Sequence, residues 1–287
     1  MNSVIMINIT KLSRLFLLAS TTGIFFCGCK KDNNPSVNPT NYKLAYSEAV
    51  LYPLGEVNEL QVVSPVTAKN GLYTSFPEGL DINPVNGNIN IHESETGINY
   101  RVFFSSSDGS IKDSTLIAIS GINFLDGLYK INSNDSIVNP VYNAAIANAM
   151  PGINNGSLFD EGGGCNSGGC AVNVANAKIN LAQTVRNGTF GSSPVNGVSK
   201  DFTLNFRIND RSGKGGNKTK IKVFYFNKLS DITQQVWDLL NGRNGTIVNS
   251  FNNSNNTSIQ GFTAGNITET ARTGKGRRPP CIVILSQ

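Results

Sequence analysis

The chain has 287 residues, with 24 Lys and Arg against 19 Asp and Glu, which gives a formal net charge of +5. This basic excess is small and spread thinly, so the composition gives no support for a nucleic-acid-binding protein. Charged residues make up only 15%, whereas Gly is abundant and Asn is over-represented. Such a composition is typical of an exported β-protein with many turns. The length exceeds that of most single domains and predicts two of them.

Residues 1–28 have the pattern of a signal peptide. Lys11 and Arg14 supply a positive start, and an apolar run from Leu15 to Phe26 follows. The run is shorter than the ~20 apolar residues that cross a bilayer, so a cleaved signal fits better than a spanning anchor. Removal of Lys11 and Arg14 would lower the basic excess from five to three.

Gly28-Cys29, at the end of this segment, resembles the lipobox of bacterial lipoproteins. Cys27 is a poorer acceptor because the bulky Phe26 precedes it, and Phe26 also stands where the family prefers Leu. The resemblance implies a mature chain that begins at Cys29 and carries lipid there, palmitate included. Several acyl chains on one residue give durable membrane attachment. The implied location is the cell envelope, at the outer membrane, on either its periplasmic or its surface face.

The mature chain is predicted to have three parts. Residues 29–41 are polar and contain Pro35 and Pro39, which predicts a flexible tether. Residues 42–125 form a first domain, and residues 126–287 form a second.

The first domain contains short β-branched or aromatic runs at 60–63, 100–104 and 116–119. Turn signals separate these runs: Asn70-Gly71, Asn86-Gly87 and Asp108-Gly109. This spacing predicts a sandwich of immunoglobulin type.

Three segments of this domain, 76–83, 86–89 and 97–102, resemble the Ig-like and cadherin-like repeats of bacterial surface proteins. They carry a Pro-x-Gly-Leu turn, a turn ending in Gly before an apolar residue, and a Gly-x-x-Tyr-x-Val strand. Together with the lipobox, they resemble lipoproteins of Bacteroidetes-type bacteria. The resemblance implies a spacer, an adhesion module or a carbohydrate-binding accessory.

Some cadherin-like modules bind calcium, and four residues of the first domain offer hard oxygen ligands for Ca²⁺. They are Asp81, Asn83, Asn86 and Asn88. Asn and Asp are also the natural residues of turns, so a purely structural role is the alternative. No other cofactor is implied.

Two triplets resemble the O-glycosylation acceptor of Bacteroidetes-type bacteria. They place candidate serines at Ser114, after Asp113, and at Ser136, after Asp135. Three-residue patterns also arise by chance, so ordinary turn-edge serines are the alternative.

The second domain is predicted to be β-rich, with one or two short helices. Alternation over 202–208 and 219–226 predicts a hairpin, and the apolar run at 281–285 predicts a buried strand. Residues 141–150 are predicted to form a short helix. An amphipathic helix is predicted to start at Asp231.

A glycine-rich loop in this domain holds Cys165 and Cys170. In an oxidising compartment these two residues are expected to form a small disulfide ring. Zinc would require four ligands, which this chain does not offer, and a phosphate loop would require a Lys-Ser/Thr ending. Cys281 is left over, and its pairing with one of the two stays open.

The inventory of catalytic residues is short. His92 is the single histidine, and no Gly-x-Ser-x-Gly elbow accompanies it. Asp160 and Glu161 are adjacent carboxylates, and they are the candidates for glycoside hydrolysis.

The sequence therefore predicts a mainly β, non-enzymatic envelope lipoprotein that serves binding, adhesion or structure. Its expected partners are the membrane, which it contacts through Cys29, and polysaccharides or other envelope proteins. Nucleic acid is not an expected partner. An envelope hydrolase that uses Asp160 or Glu161 is the competing hypothesis.

Overall fold

The computed structural model describes residues 41–131, 136–144, 150–241 and 278–287. Strands hold 36% and helices 13% of these residues, so the predicted mainly β fold with few short helices is confirmed. The signal segment, Cys29 and nearly all of the tether lie outside the described residues.

Fifteen strands occur in the described part of the chain. They are β1 (Val50–Leu51), β2 (Val62–Val63), β3 (Leu72–Phe76), β4 (Ile89–Asn90), β5 (Ile98–Ser105), β6 (Lys112–Ile119), β7 (Gly121–Phe124), β8 (Gly127–Lys130), β9 (Ile137–Val138), β10 (Pro140–Asn143), β11 (Leu158–Phe159), β12 (Ile179–Asn180), β13 (Ser199–Arg207), β14 (Gly216–Phe226) and β15 (Cys281–Leu285). The α-helices are α1 (Gly164–Ser167), α2 (Leu181–Arg186) and α3 (Gln234–Asn241), and 3-10 turns lie at Ile153–Asn155, Glu161–Gly163 and Leu229–Asp231.

The first half is built on a four-stranded sheet with the order β1-β6-β5-β3. The β5–β6 pair is an antiparallel hairpin, and β1 runs parallel to β6. Along β5, Ile98, Tyr100, Val102 and Phe104 are buried, and the residues that alternate with them are less buried towards the end of the strand. This alternation places one face of the sheet on a core of its own.

The second half is built on a five-stranded sheet with the order β11-β13-β14-β15-β8. The predicted hairpin is present as β13 and β14, whose Phe202, Leu204 and Phe206 face the core. The predicted strand at 281–285 is also present: β15 lies between β14 and β8, parallel to both, and all five of its residues are buried.

Two small ribbons, which we call the first ribbon (residues 81–90) and the second ribbon (residues 171–180), have the same structure. In the first, Ile82 bridges Ile89 and β4 pairs with β2; in the second, Val172 bridges Ile179 and β12 pairs with β9. Corresponding residues lie ninety positions apart: Asp81 and Ala171, Asn83 and Asn173, Asn86 and Asn176, Gly87 and Ala177, Asn88 and Lys178, and Asn90 and Asn180.

Hydrogen bonds repeat along with the strands. The hydroxyl of Ser94 donates to the carbonyl of Asn90 at 2.7 Å, and that of Thr184 donates to the carbonyl of Asn180 at 2.8 Å. Each hydroxyl also accepts the first backbone N–H of its own ribbon, at 3.0 and 2.9 Å. The second half therefore contains a ribbon with the same strand pairing and the same side-chain hydrogen bonds as the ribbon of the first half.

Polar contacts join the two halves. The Asp210 carboxylate of the second half accepts a hydrogen bond from Ser120 of the first at 2.7 Å, and Arg211 pairs with Glu48 at 2.9 Å. Apolar side chains of β1, β6 and β7 also belong to the core of the second half. The described residues accordingly fall into one compact unit, and the division at residues 125–126 stays a prediction.

Two sequence-based helix predictions differ from the structure. The helix predicted over 141–150 begins as strand β10, because Tyr142 pairs with Ile122 of β7 and tertiary pairing overrides the local preference. Residues 145–149 lie outside the described residues. The amphipathic helix α3 begins at Gln234 instead of Asp231, since a 3-10 turn occupies Leu229–Asp231.

Candidate functional site

The first ribbon places polar and apolar side chains on opposite faces. Ile82 and Ile89 are buried, and the residues that flank each of them point the other way because strand side chains alternate. The two flanking cross-strand pairs are Asp81 with Asn90 and Asn83 with Asn88, joined by backbone hydrogen bonds of 2.9 and 2.8 Å. The outward face of the ribbon is therefore a small field of carboxylate and amide groups.

Two of the four predicted calcium ligands form the turn itself. Asn83 Oδ1 accepts the backbone N–H groups of Val85 at 2.9 Å and Asn86 at 3.3 Å, and Asn86 Oδ1 accepts that of Asn88 at 3.0 Å. Such side-chain-to-backbone bonds are the usual reason for Asn in turns. Asn83 and Asn86 are thus engaged in holding the turn.

The other two, Asp81 and Asn88, line an open groove of about 600 Å³ together with Asn83, and we call it the polar groove. Asp81 and Asn88 face this groove, and Asn90 joins them. In the described part of the chain no side-chain hydrogen bond engages the Asp81 carboxylate or the Asn88 amide, and Asn90 Oδ1 is buried without a partner. Burial, with the negative charge of Glu93 as a second cause, raises the pKa of the Asp81 carboxyl.

Asn90 was not among the residues singled out from the sequence. Its signal is the polar-apolar alternation of Asn88-Ile89-Asn90, which places both amides on one face once the segment is recognised as a strand. The second ribbon lacks the same polar field. Ala171 stands in place of Asp81, Lys178 in place of Asn88, and Asn180 Oδ1 is used to cap helix α2 by accepting from Gln183 at 2.9 Å.

The donor set is poorly suited to calcium. Ca²⁺ takes six to eight oxygen ligands, usually with several carboxylates among them. Only Asp81 supplies a carboxylate to the polar groove, and the side-chain oxygens of Asn83 and Asn86 already accept backbone hydrogens. Within the described ranges, no three Cys, His, Asp or Glu side chains group as metal ligands.

A second groove, of about 460 Å³, lies on the outer face of the first sheet. Leu72, Thr74, Phe103 and Ser114 are among the residues that line it. Ser114 is half-buried, and its hydroxyl accepts a hydrogen bond from Arg101 at 3.2 Å. The other glycosylation candidate, Ser136, is half-buried next to undescribed residues, so modification of both serines stays a prediction.

Cys165 and Cys170 are buried thiols, and the predicted disulfide is not formed in the structure. The Cys165 thiol donates to the carbonyl of Thr203 at 3.3 Å. Its contact with the Cys170 thiol, together with burial, raises the pKa of Cys165. A buried thiol with a raised pKa is a poor nucleophile, so this pair resembles structural rather than catalytic cysteines. Cys281 is also buried, in β15.

The two carboxylates of the hydrolase hypothesis serve separate structural contacts. Asp160 accepts the backbone N–H groups of Cys165 at 2.7 Å and Asn166 at 2.9 Å, which fixes the glycine-rich loop. Glu161 accepts from Arg207 Nε at 2.9 and 2.8 Å. The hydrogen bond to Glu56 is the largest cause that raises the pKa of Arg207, and the hydrogen bond to Glu161 is the second.

His92, the residue on which a catalytic triad would depend, is 2% exposed. Its Nε2 lies 2.9 Å from the carbonyl oxygen of Leu54, in the loop that contacts the second half. Such a position suits a packing role.

The helices in the described part of the chain are all too short or too polar to span a bilayer. No protein-family model matches the chain, and no characterised protein shows significant sequence similarity to it.

Proposed function

We propose that the protein is a lipid-anchored envelope lipoprotein whose two β-rich halves act as a binding, adhesion or structural module. The polar groove carries the proposal. It combines three side chains with unengaged polar atoms on one face of the first ribbon, and the second ribbon lacks the same groups. A polar cluster that the fold itself does not use is a candidate for ligand contact.

The anchoring part of the proposal rests on Gly28-Cys29 and on the apolar run before it. Lipidated Cys29 holds the chain at the outer membrane, and the polar residues up to 41 separate the folded part from the bilayer. Glycans and other envelope proteins are the partners within reach of a protein held in this way.

The engagement of Asp160 and Glu161 in structural contacts supports a binding role over the hydrolase alternative. Carboxylates that act in glycoside hydrolysis face one another across the scissile bond. Here the first fixes a loop, and the second holds an arginine.

A cysteine substitution tests the anchor. Cys29→Ser should move the protein from the membrane fraction to the soluble envelope fraction, because the acyl chains supply the attachment. Cys27→Ser is the matched control and should leave the protein in the membrane fraction. Membrane retention of the Cys29→Ser protein would refute the anchor.

Cys165 and Cys170 are thiols in the structure, but export would expose them to an oxidising compartment, and a disulfide between them is the state that we propose there. Thiol labelling of the denatured exported protein should leave Cys165 and Cys170 unlabelled until a reductant is added. Labelling of both residues without reductant would show that they remain thiols.

A further inference from the structure

The polar groove offers both hydrogen-bond donors and acceptors. The Asp81 carboxylate accepts only, the Asn88 amide both donates and accepts, and Asn90 offers its Nδ2 as a donor. Asp81 and Asn90 lie directly opposite each other in the ribbon. Asn88 precedes Asn90 by two residues, so it lies on the same face of the same strand. Hydroxyl groups, which also donate and accept, are the ligand chemistry that matches this set.

Apolar surface completes the groove. Val62 is 46% exposed, and the exposed Pro84 also lines the groove. A site that combines apolar surface with a few converging polar groups is the usual form of a small-ligand site. The C–H face of a sugar ring would pack on this apolar part while its hydroxyls contact the ribbon.

Charge disfavours anionic ligands in the groove, and the number of carboxylates disfavours a metal ion. Asp81 and the neighbouring Glu93 make the local field negative, which disfavours anionic saccharides. A metal ion would find only one carboxylate among the lining residues. The two amides are neutral, so a neutral ligand is the best match.

We propose that the polar groove binds a neutral saccharide, with Asp81, Asn88 and Asn90 hydrogen-bonding to its hydroxyls. This inference rests on the proposed binding function and gives it a site and a ligand class. The strongest indication is that the Asp81 carboxylate and the Asn88 amide line the groove without a side-chain hydrogen bond to any described residue.

The test uses the full-length protein in detergent, titrated calorimetrically with a soluble mannan, a β-1,3-glucan and a galactan. At least one of these should bind, and Asn88→Ala and Asn90→Ala should each weaken that binding about tenfold, which is the loss of one good hydrogen bond. Lys178→Ala, the corresponding change in the second ribbon, is the matched control and should leave the affinity unchanged.

Folding of the variants is checked by thermal melting. Asn90→Ala removes no side-chain hydrogen bond seen in the described residues, so its Tm should stay close to that of the parent protein. Asn180→Ala removes the cap of α2 and should lower the Tm. The melting curves therefore separate a loss of contact with the saccharide from a loss of structure.

Three results would overturn the inference. Binding that survives both Asn substitutions would place the saccharide elsewhere and leave the proposed binding function standing. Binding that disappears in EDTA would show recognition through a metal ion. Failure of all three polysaccharides to bind would remove the saccharide as ligand, while the membrane fractionation of Cys29→Ser would still report on the anchor.

Discussion

Gly87 and Ala177 occupy the same position in the two ribbons and show how one residue is constrained by its surroundings. Both adopt left-handed backbone conformations, with φ of 76° and 58°. Ala177 bears the strain that a side chain suffers there, about 1–2 kcal/mol. Position 87 cannot accept a side chain in the same way, because a Cβ there would lie 2.5 Å from Cε1 of Tyr73.

Gly87→Ala should therefore destabilise the protein by about 2–4 kcal/mol, since overpacking against Tyr73 adds to the backbone strain. Gly109→Ala is the matched control, because Gly109 has a φ of 70° and nothing lies within 4 Å of its would-be Cβ. It should cost only about 1 kcal/mol. Urea unfolding measures both values, and equal losses would contradict the steric explanation.

The two sheets differ in strand order because of strand β15. In the first half, β1 pairs in parallel directly with β6, whereas β15 separates β8 from β14 in the second half. Asp126 fixes the start of this strand. Its carboxylate accepts from Arg278 Nη1 at 2.8 Å and from the backbone N–H of Cys281 at 2.6 Å, and its side chain is fully buried.

Asp126→Asn should destabilise the protein by about 3–5 kcal/mol, because it removes a fully buried carboxylate that pairs with Arg278. Glu56→Gln removes one partner of Arg207 in an exposed ion pair and should cost less than about 1 kcal/mol. The free energy of unfolding in urea separates the two cases. Similar small losses would show that Asp126 does not anchor the strand.

At the scale of the whole molecule, the two halves share core residues as well as polar contacts. Val50 and Tyr52, from the first β-strand and the residue that follows it, belong to the core of the second half. Arg211 reaches back to Glu48, and its guanidinium lies 5.2 Å from the ring centre of Tyr52. Domains joined in this way are expected to unfold together.

Calorimetry should therefore show one transition, with calorimetric and van't Hoff enthalpies that agree. Asp210→Ala removes the acceptor of Ser120 and Tyr142 and should lower the Tm by roughly 5–10 °C. Asp201→Ala, in an exposed pair with Lys222, is the control and should change the Tm by less than about 2 °C. Two separate transitions in the parent protein would contradict the coupling of the halves.

Local patterns determined the elements that depend on local chemistry. The alternation of Phe202, Leu204 and Phe206 predicted β13 correctly, and the Asn-Gly signal at 86–87 predicted the turn that lies in the middle of the first ribbon. These predictions succeed because side-chain period and turn residues act over a few positions.

The tertiary structure alone decided which of the candidate residues share a site. Asp81 and Asn88 lie seven positions apart, and only the bridge between Ile82 and Ile89 shows that Asn90 joins them while Asn83 is engaged in the turn. The repeat in the second half was hidden for the same reason. Ala171 and Lys178 changed the chemistry of the ribbon, whereas its backbone pairing, which depends on long-range hydrogen bonds, stayed the same.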